Sequence, residues 1–137
     1  MQIHFFDTML RAQKGYSQAL EPVCRKWELT RTELDVILFL ANNPEFDRAA
    51  DIVTHRGITK SHVSLTVGTL ESKGLLLRQE DPRDKRTVHL RMTALCEPIV
   101  QAGREAQQSF FGTIFSGVTG EEFAVWRKIT EKVCGNI

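Results

Sequence analysis

The chain has 137 residues, 42% of them hydrophobic and 26% charged, and a net charge of +1. That length suits one domain with an ample core, and the absence of any run of about 18 apolar residues excludes a transmembrane helix. Cys24, Cys96 and Cys134 form no CxxC pair, which excludes a zinc ribbon or thioredoxin-type site and fits a reducing compartment. The opening MQIHFFDTML has no basic leader followed by a long apolar stretch, so a cytoplasmic protein is expected rather than a secreted one.

Ile3 to Leu20 predicts an amphipathic helix, with Phe5, Met9, Tyr16 and Leu20 recurring on one side, and Pro22 is expected to interrupt it. Thr30-Arg31-Thr32-Glu33 is a capping-box pattern in which Thr30 and Glu33 each satisfy a free amide of the first turn. The run Leu34, Val36, Ile37, Leu38, Phe39, Leu40 follows, and Asn42-Asn43-Pro44 ends it. A short helix from Asp47 to Thr54 is expected to bury Ala50, Ile52 and Val53, with Gly57 supplying the turn after it.

Thr59 is a suitable N-cap for a helix reaching Lys73. At 100° per residue, Val67 and Leu70 fall within about 40° of Val63, a narrow core stripe. Ser61, Leu65, Gly68 and Ser72 lie roughly opposite, flanked by His62, Ser64 and Thr69. This outer face is short-chained and nearly uncharged, unlike a solvated face rich in Glu and Lys.

Leu75 to Glu80 and Thr87 to Met92 read as strands joined by Asp81-Pro82-Arg83-Asp84-Lys85-Arg86, whose Asp-Pro opening is a turn signal. In the second strand Val88, Leu90 and Met92 alternate with His89 and Arg91, the period of a half-buried strand. After Thr93 the helical pattern resumes through Ile99, Ala102, Ala106, Phe110, Ile114 and Phe115, with Pro98 expected to bend or locally open its start. Gly117 and Gly120 break it. Thr119-Gly120-Glu121-Glu122 then opens a last helix carrying Phe123, Trp126, Ile129 and Val133.

Helix, strand, basic turn, strand is the order of a winged helix-turn-helix, so the expected fold class is mostly α with a small two-stranded β wing. Such a module sets one helix in the DNA major groove and a charged loop beside it. Small side chains let the helix sit deep against base edges, and Lys60 can reach a phosphate. Leu65 on a polar face suits a thymine methyl, although an ordinary exposed helix remains the plainer alternative. His62 suits a base, a phosphate or neither. From Asp47 to Thr93 there are nine basic against six acidic side chains, net +3, while the remainder carries nine against eleven, net −2. The asymmetry permits a nucleic-acid partner without requiring one. The flanking helices carry Phe5, Phe6, Phe110, Phe111, Phe115, Phe123 and Trp126, more apolar surface than a lone winged helix needs, which points to self-association.

Two strings, TKSHVSLTVGTLESKGLL and DPRDKRTVHLRMT, resemble the MarR family of bacterial regulators. The first is similar to that family's recognition helix with its L-E-x-K-G-L exit, here Leu70 to Leu75, and the second to its D-x-R wing, here Asp84-Lys85-Arg86. WELTRTELDVILFL is similar to the family's second helix, whereas Phe46-Asp47-Arg48-Ala49-Ala50-Asp51-Ile52 departs from the pattern usual before the recognition helix. The resemblance implies one domain over 1–137, with a DNA-binding part at 30–93 and a dimerisation part at 1–22 and 94–137. It implies a homodimer on a pseudo-palindromic operator, in which Arg86 enters the minor groove and Asp84 orients it through a bidentate contact. The residues expected to meet DNA are then Thr59, Lys60, Ser61, His62, Ser64, Leu65, Arg83, Asp84, Lys85 and Arg86. A small-molecule effector near Trp27 or Tyr16 is a further implication. A repressor and an activator would use the same protein surfaces.

Other readings stay open beside this one. A winged helix can serve protein–protein contact without DNA, and DPRDKR can be a solvated hairpin turn. Arg25 and Lys26 could lower the pKa of Cys24 and make it an oxidant sensor, although a plain buried or exposed thiol is the simpler expectation. No enzyme is expected, since the chain has no phosphate loop, nucleophile elbow or HExxH, and Glu121-Glu122 suits a helix N-terminus. No cofactor is expected, and His4, His55, His62 and His89 lack metal-ligand spacing.

Overall fold

The computed structural model describes residues 2–137, with side chains from His4 onward; Met1 and the side chain of Ile3, where the expected first helix begins, lie outside the described residues. The element order is α1 (Gln2–Lys26), α2 (Arg31–Asn42), α3 (Ala49–Arg56), α4 (Lys60–Ser72), β1 (Leu76–Glu80), β2 (Val88–Met92), a 3-10 turn (Ala94–Cys96), α5 (Glu97–Ile114) and α6 (Gly120–Gly135). One core joins them. Leu20 of α1, Leu34 and Ile37 of α2, Ile52 of α3, Val63 and Leu70 of α4, Leu76 of β1 and Ile99 of α5 are all nearly or wholly buried in it.

Pro22 does not behave as the sequence suggested. Pro22 lies inside α1, which continues to Lys26. A proline in a helix interior costs about 3 kcal/mol. The turn around it carries Leu20, Val23 and Cys24 into the core, and each large apolar side chain so buried contributes roughly 1.5–3 kcal/mol. Tertiary burial therefore outweighs the local penalty. Pro98 occupies the first turn of α5, where its missing N–H has no helical partner to lose.

The capping box at α2 is only half formed. The Thr30 hydroxyl accepts from the Glu33 amide at 3.1 Å, as its position demands. The Glu33 carboxylate is instead buried against Lys73, whose Nζ donates to it at 2.7 Å and to the Glu28 carbonyl at 2.9 Å. The last residue of the helix exit is thereby tied to the turn between α1 and α2. α3 begins two residues later than expected, and Asp51 accepts from the Arg48 amide at 3.0 Å to hold its start. Ile52 is buried and Val53 half-buried there, but Ala50 is exposed. Gly57 (φ 63°) closes α3 and Gly74 (φ 73°) turns α4 into β1, both in the left-handed region where a Cβ is strained.

The wing is a two-stranded antiparallel sheet with Leu76 opposite Met92, Gln79 opposite His89 and Glu80 opposite Val88. Its strands are each one residue shorter at the start than expected, and only Leu76 of β1 and Leu90 of β2 are buried. Beyond that pair the wing has no buried apolar side chain of its own. The β2 backbone is further held by a bond from the Leu90 amide to the Asp47 carbonyl, at 2.7 Å.

Candidate nucleic-acid interface

α4 starts where the sequence placed it, with the Thr59 hydroxyl accepting from the His62 amide at 3.3 Å. Val63, Thr66, Val67 and Leu70 are buried. Thr66 adds to the expected stripe because its hydroxyl satisfies itself on the His62 carbonyl at 2.8 Å, which removes the cost of burying it. Thr59, Lys60, Ser61, His62, Ser64 and Leu65 are all exposed, and Leu65 keeps 72% of its surface in solvent. A leucine so exposed, among short polar neighbours on a rigid helix, offers an apolar contact that nothing within the chain covers.

Lys60 and Ser64 of α4 share a groove of about 410 Å³ with Ala50 and Thr54 of α3 and with Arg78 and Val88 of the wing. Sequence reasoning passed over Arg78. Its Nε donates to Glu71 of α4, so the base of the wing is pinned to the flank of the helix. The groove thus brings part of the expected helix face together with the wing base. The wing-tip residues Arg83, Asp84, Lys85 and Arg86 are exposed and do not line it.

At the tip, Asp84 acts on the backbone first. Its Oδ1 accepts from the Arg86 amide at 3.0 Å, and its main-chain oxygen accepts from the Thr87 amide at 2.9 Å. The Arg86 Nε reaches the same Oδ1 only at 3.4 Å, a single long contact where a bidentate pair was expected. The Arg86 side chain is consequently 94% exposed, presented on a braced turn rather than clamped.

A charged cluster that the sequence did not disclose lies behind the tip. His89 lies within hydrogen-bond distance of Asp47 through Nδ1 and of Asp81 through Nε2, both at 2.8 Å, and the Arg91 guanidinium donates to the other Asp47 oxygen at 2.7 Å. The Arg83 amide donates to the second oxygen of Asp81, also at 2.8 Å. Burial pushes the Asp47 carboxyl up, but the hydrogen bonds and charges of His89 and Arg91 outweigh it and hold it below the ordinary range. The His89 bond and the Arg83 amide lower Asp81 likewise. His89 itself is raised, by Asp81 first and Asp47 second. The only signal in the sequence was indirect: Asp47 sits in the one segment that departs from the family pattern.

Cys24 is buried on α1, and its thiol is pushed up, by burial first and then by Glu21, with Arg31 pulling the other way without prevailing. The basic group that acts on it is Arg31 rather than Arg25 or Lys26, and burial outweighs it, which speaks against an oxidant sensor there. Cys96 is buried and raised for the same first reason. Among the described residues no group of three or more His, Cys, Asp or Glu is arranged to hold a metal ion, and no helix is long and apolar enough to cross a membrane.

Two cavities lie where an effector was expected. One of about 380 Å³ is bounded by Tyr16, Arg31, Asp35, Phe39 and Gln107, with the Gln107 amide donating to the Tyr16 hydroxyl at 2.7 Å. Another of about 530 Å³ lies beside Trp27, Lys73, Leu75 and Ile99.

The exposed helix and its wing, mounted on a helical body, define a winged helix-turn-helix protein. Residues 27–87 match the model of the MarR family. Transcriptional regulator HosA of Escherichia coli O111:H- is 26% identical over 110 residues, 77% of this chain and 78% of that protein. The structure of a putative MarR family transcriptional regulator from Listeria monocytogenes, complexed with 26mer DNA, has a TM-score of 0.84 at 16% identity, over 97% of this chain and 87% of that one. Bordetella bronchiseptica BpsR, whose DNA binding is regulated by 6-hydroxynicotinic acid, has a TM-score of 0.72 at 19% identity, over 98% of this chain and 99% of that one. Over residues 27–87 the chain matches the MarR family, and the relatives and structures it resembles are transcription regulators.

Proposed function

We propose that the protein is a cytoplasmic regulator that binds a pseudo-palindromic duplex as a homodimer, each protomer placing α4 in a major groove and its wing in the adjacent minor groove. The observation that carries this is the outer face of α4, with Ser61, Ser64 and a 72%-exposed Leu65, set beside a wing whose Arg86 guanidinium is free. Ser hydroxyls and a leucine can read base edges and thymine methyls, Lys60 reaches a phosphate, and a narrow minor groove attracts the guanidinium. The DNA-bound Listeria monocytogenes relative supports a duplex DNA partner.

In this account residues 30–93 carry DNA binding, while 1–22 and 94–137 carry dimerisation. The Tyr16 cavity between α1, α2 and α5 is the place for a small effector, a role that the ligand-regulated BpsR supports. Half-sites one helical turn apart, roughly 34 Å, match a two-fold dimer. The test is a binding-site selection from random duplexes. The wild-type protein is expected to recover a palindrome, and changing Ser61, Ser64 and Leu65 together is expected to alter its bases. Unchanged preference in that variant would remove α4 as the reader.

A further inference from the structure

His89 has a carboxylate within 2.8 Å of each ring nitrogen, Asp47 on one side and Asp81 on the other. A neutral imidazole has one N–H and one lone pair, so it can donate to only one of them and turns its lone pair on the other. Satisfying both requires the imidazolium. The two carboxylates belong to different parts of the molecule. Asp47 lies in the loop that leads into α3, and Asp81 is the first residue of the turn that carries Arg86.

What this bridge holds is otherwise weakly held. Past Leu76 and Leu90 the apolar side chains of the wing are at most half-buried, Met92 against the core, so polar contacts, with Arg78 on Glu71 at the base, help set its angle to the body. Apart from His89, those at the cluster are Arg91 on Asp47 at 2.7 Å and the Leu90 amide on the Asp47 carbonyl, also at 2.7 Å. Both act at Asp47. His89 alone continues the chain of contacts to Asp81, and through it to the amide of Arg83 at the tip. The charged groups facing the ring are Asp47 from the α2–α3 loop and Asp81 from the turn. Arg91, on its own strand, is occupied by Asp47 and by Gln79 of β1 at 3.1 Å.

We propose that His89 is a positioning residue for DNA binding: as the imidazolium it straps the wing tip to the helix-turn-helix, and its deprotonation releases the wing. This rests on the DNA-binding reading above. The sign follows from the shifts. A raised folded-state pKa means that the strap is complete below about 6.5, the ordinary histidine value, and is lost as pH rises through the higher folded value. On the acid side it persists until pH falls through the lowered values of Asp47 and Asp81.

Two measurements on the full-length protein test this separately. The first is made without DNA, by following the His89 ring nitrogens and the backbone amides of Arg83 and Thr87 by NMR from about pH 5 to about pH 9. The ring is expected to titrate above about 6.5 with the wing amides following the same midpoint, and Asp81→Asn is expected to lower that midpoint. A ring midpoint at or below 6.5, or wing amides indifferent to it, overturns the strap. The second is a fluorescence-anisotropy titration at fixed salt, using the duplex recovered by the wild-type selection. Wild-type affinity is expected to fall roughly fivefold from about pH 6 to about pH 8.5, as charge-assisted bonds are lost. His89→Gln, checked for an unchanged circular dichroism spectrum, is expected to bind at pH 6 as weakly as wild type does at pH 8.5, with a flatter profile. His62 is present in both proteins, so the comparison isolates His89. An equal pH slope in His89→Gln overturns the proposal. If selection recovers no duplex while ring and wing titrate together, the DNA-binding reading falls and the strap stands.

Discussion

At the wing tip, two charges of opposite sign sit two residues apart and serve one another unequally. Asp84 shapes the turn through the Arg86 and Thr87 amides, and its bond to the Arg86 side chain is long, at 3.4 Å. Arg86→Ala is expected to weaken DNA binding about tenfold, or about 1.4 kcal/mol, without touching the core. Asp84→Ala tests two opposed effects. Losing an acidic group near a polyanion favours binding, whereas losing the brace of the turn disorders the arginine's backbone. The braced amide decides it, and a loss of about threefold is expected, in keeping with ~0.5–1.5 kcal/mol for a net hydrogen bond. Fluorescence anisotropy at one salt concentration reads both variants. Tighter binding by Asp84→Ala would show that its charge matters more than its turn. The arginine and aspartate themselves were legible from the D-x-R string. The backbone role of the aspartate was not, because spacing in sequence does not say which donor a carboxylate meets first.

Among the elements, α5 packs closely on α2 at Gly103. A Cβ built on Gly103 falls 2.6 Å from Cδ2 of Leu38 and 3.1 Å from its Cδ1, and Leu38 is only 3% exposed. Helix propensity favours Gly103→Ala by about 1 kcal/mol. Overpacking a buried site costs about 1–3 kcal/mol, and both Leu38 methyls would have to shift to admit the new Cβ. The steric effect wins, so urea denaturation is expected to show a net loss of about 1 kcal/mol. A gain in stability would mean that α5 shifts freely along α2. Helix positions were largely legible, since apolar periodicity and the caps Thr30, Thr59 and Thr119 mark them. A full capping box formed at Thr119 and Glu122 on exposed α6, while the one expected at Glu33 did not. The difference is burial: Glu33 is packed against Lys73, which competes with the backbone for its carboxylate.

For the whole molecule, the unfinished surface lies on the outer helices. α6 has no buried residue, and Val125, Trp126, Ile129 and Val133 are each about half exposed or more. On α1, Phe5, Phe6 and Leu10 are exposed as well. Phe115 packs on Phe123 and Trp126 with ring centroids 5.0 and 4.9 Å apart, so α6 is seated on the end of α5 and its remaining apolar face is free. A second copy covering that face is the dimer proposed above. Analytical ultracentrifugation at low micromolar concentration is expected to show twice the 15.6 kDa chain mass. Trp126→Asp with Ile129→Asp is expected to give the single chain, with its wing and core intact because α6 contributes nothing buried. A wild-type protein sedimenting only as the single chain would end the dimer account.

The sequence by itself determined the order of the elements, the caps, the narrow stripe of α4 and the basic turn between two strands, because each depends on residues within one or two helical turns. Tertiary structure decided what depends on partners far along the chain. Pro22 is carried through a helix because its neighbours are buried. Glu33 turns from its own helix to Lys73, forty residues on. His89, which alternation placed on the outer face of a strand, bridges Asp47 and Asp81 because the loop into α3 passes beside the wing. Periodicity reports which side of an element faces inward. It carries no record of which charged groups converge when separate elements pack, and convergence is what gives His89 its charge and the wing its angle.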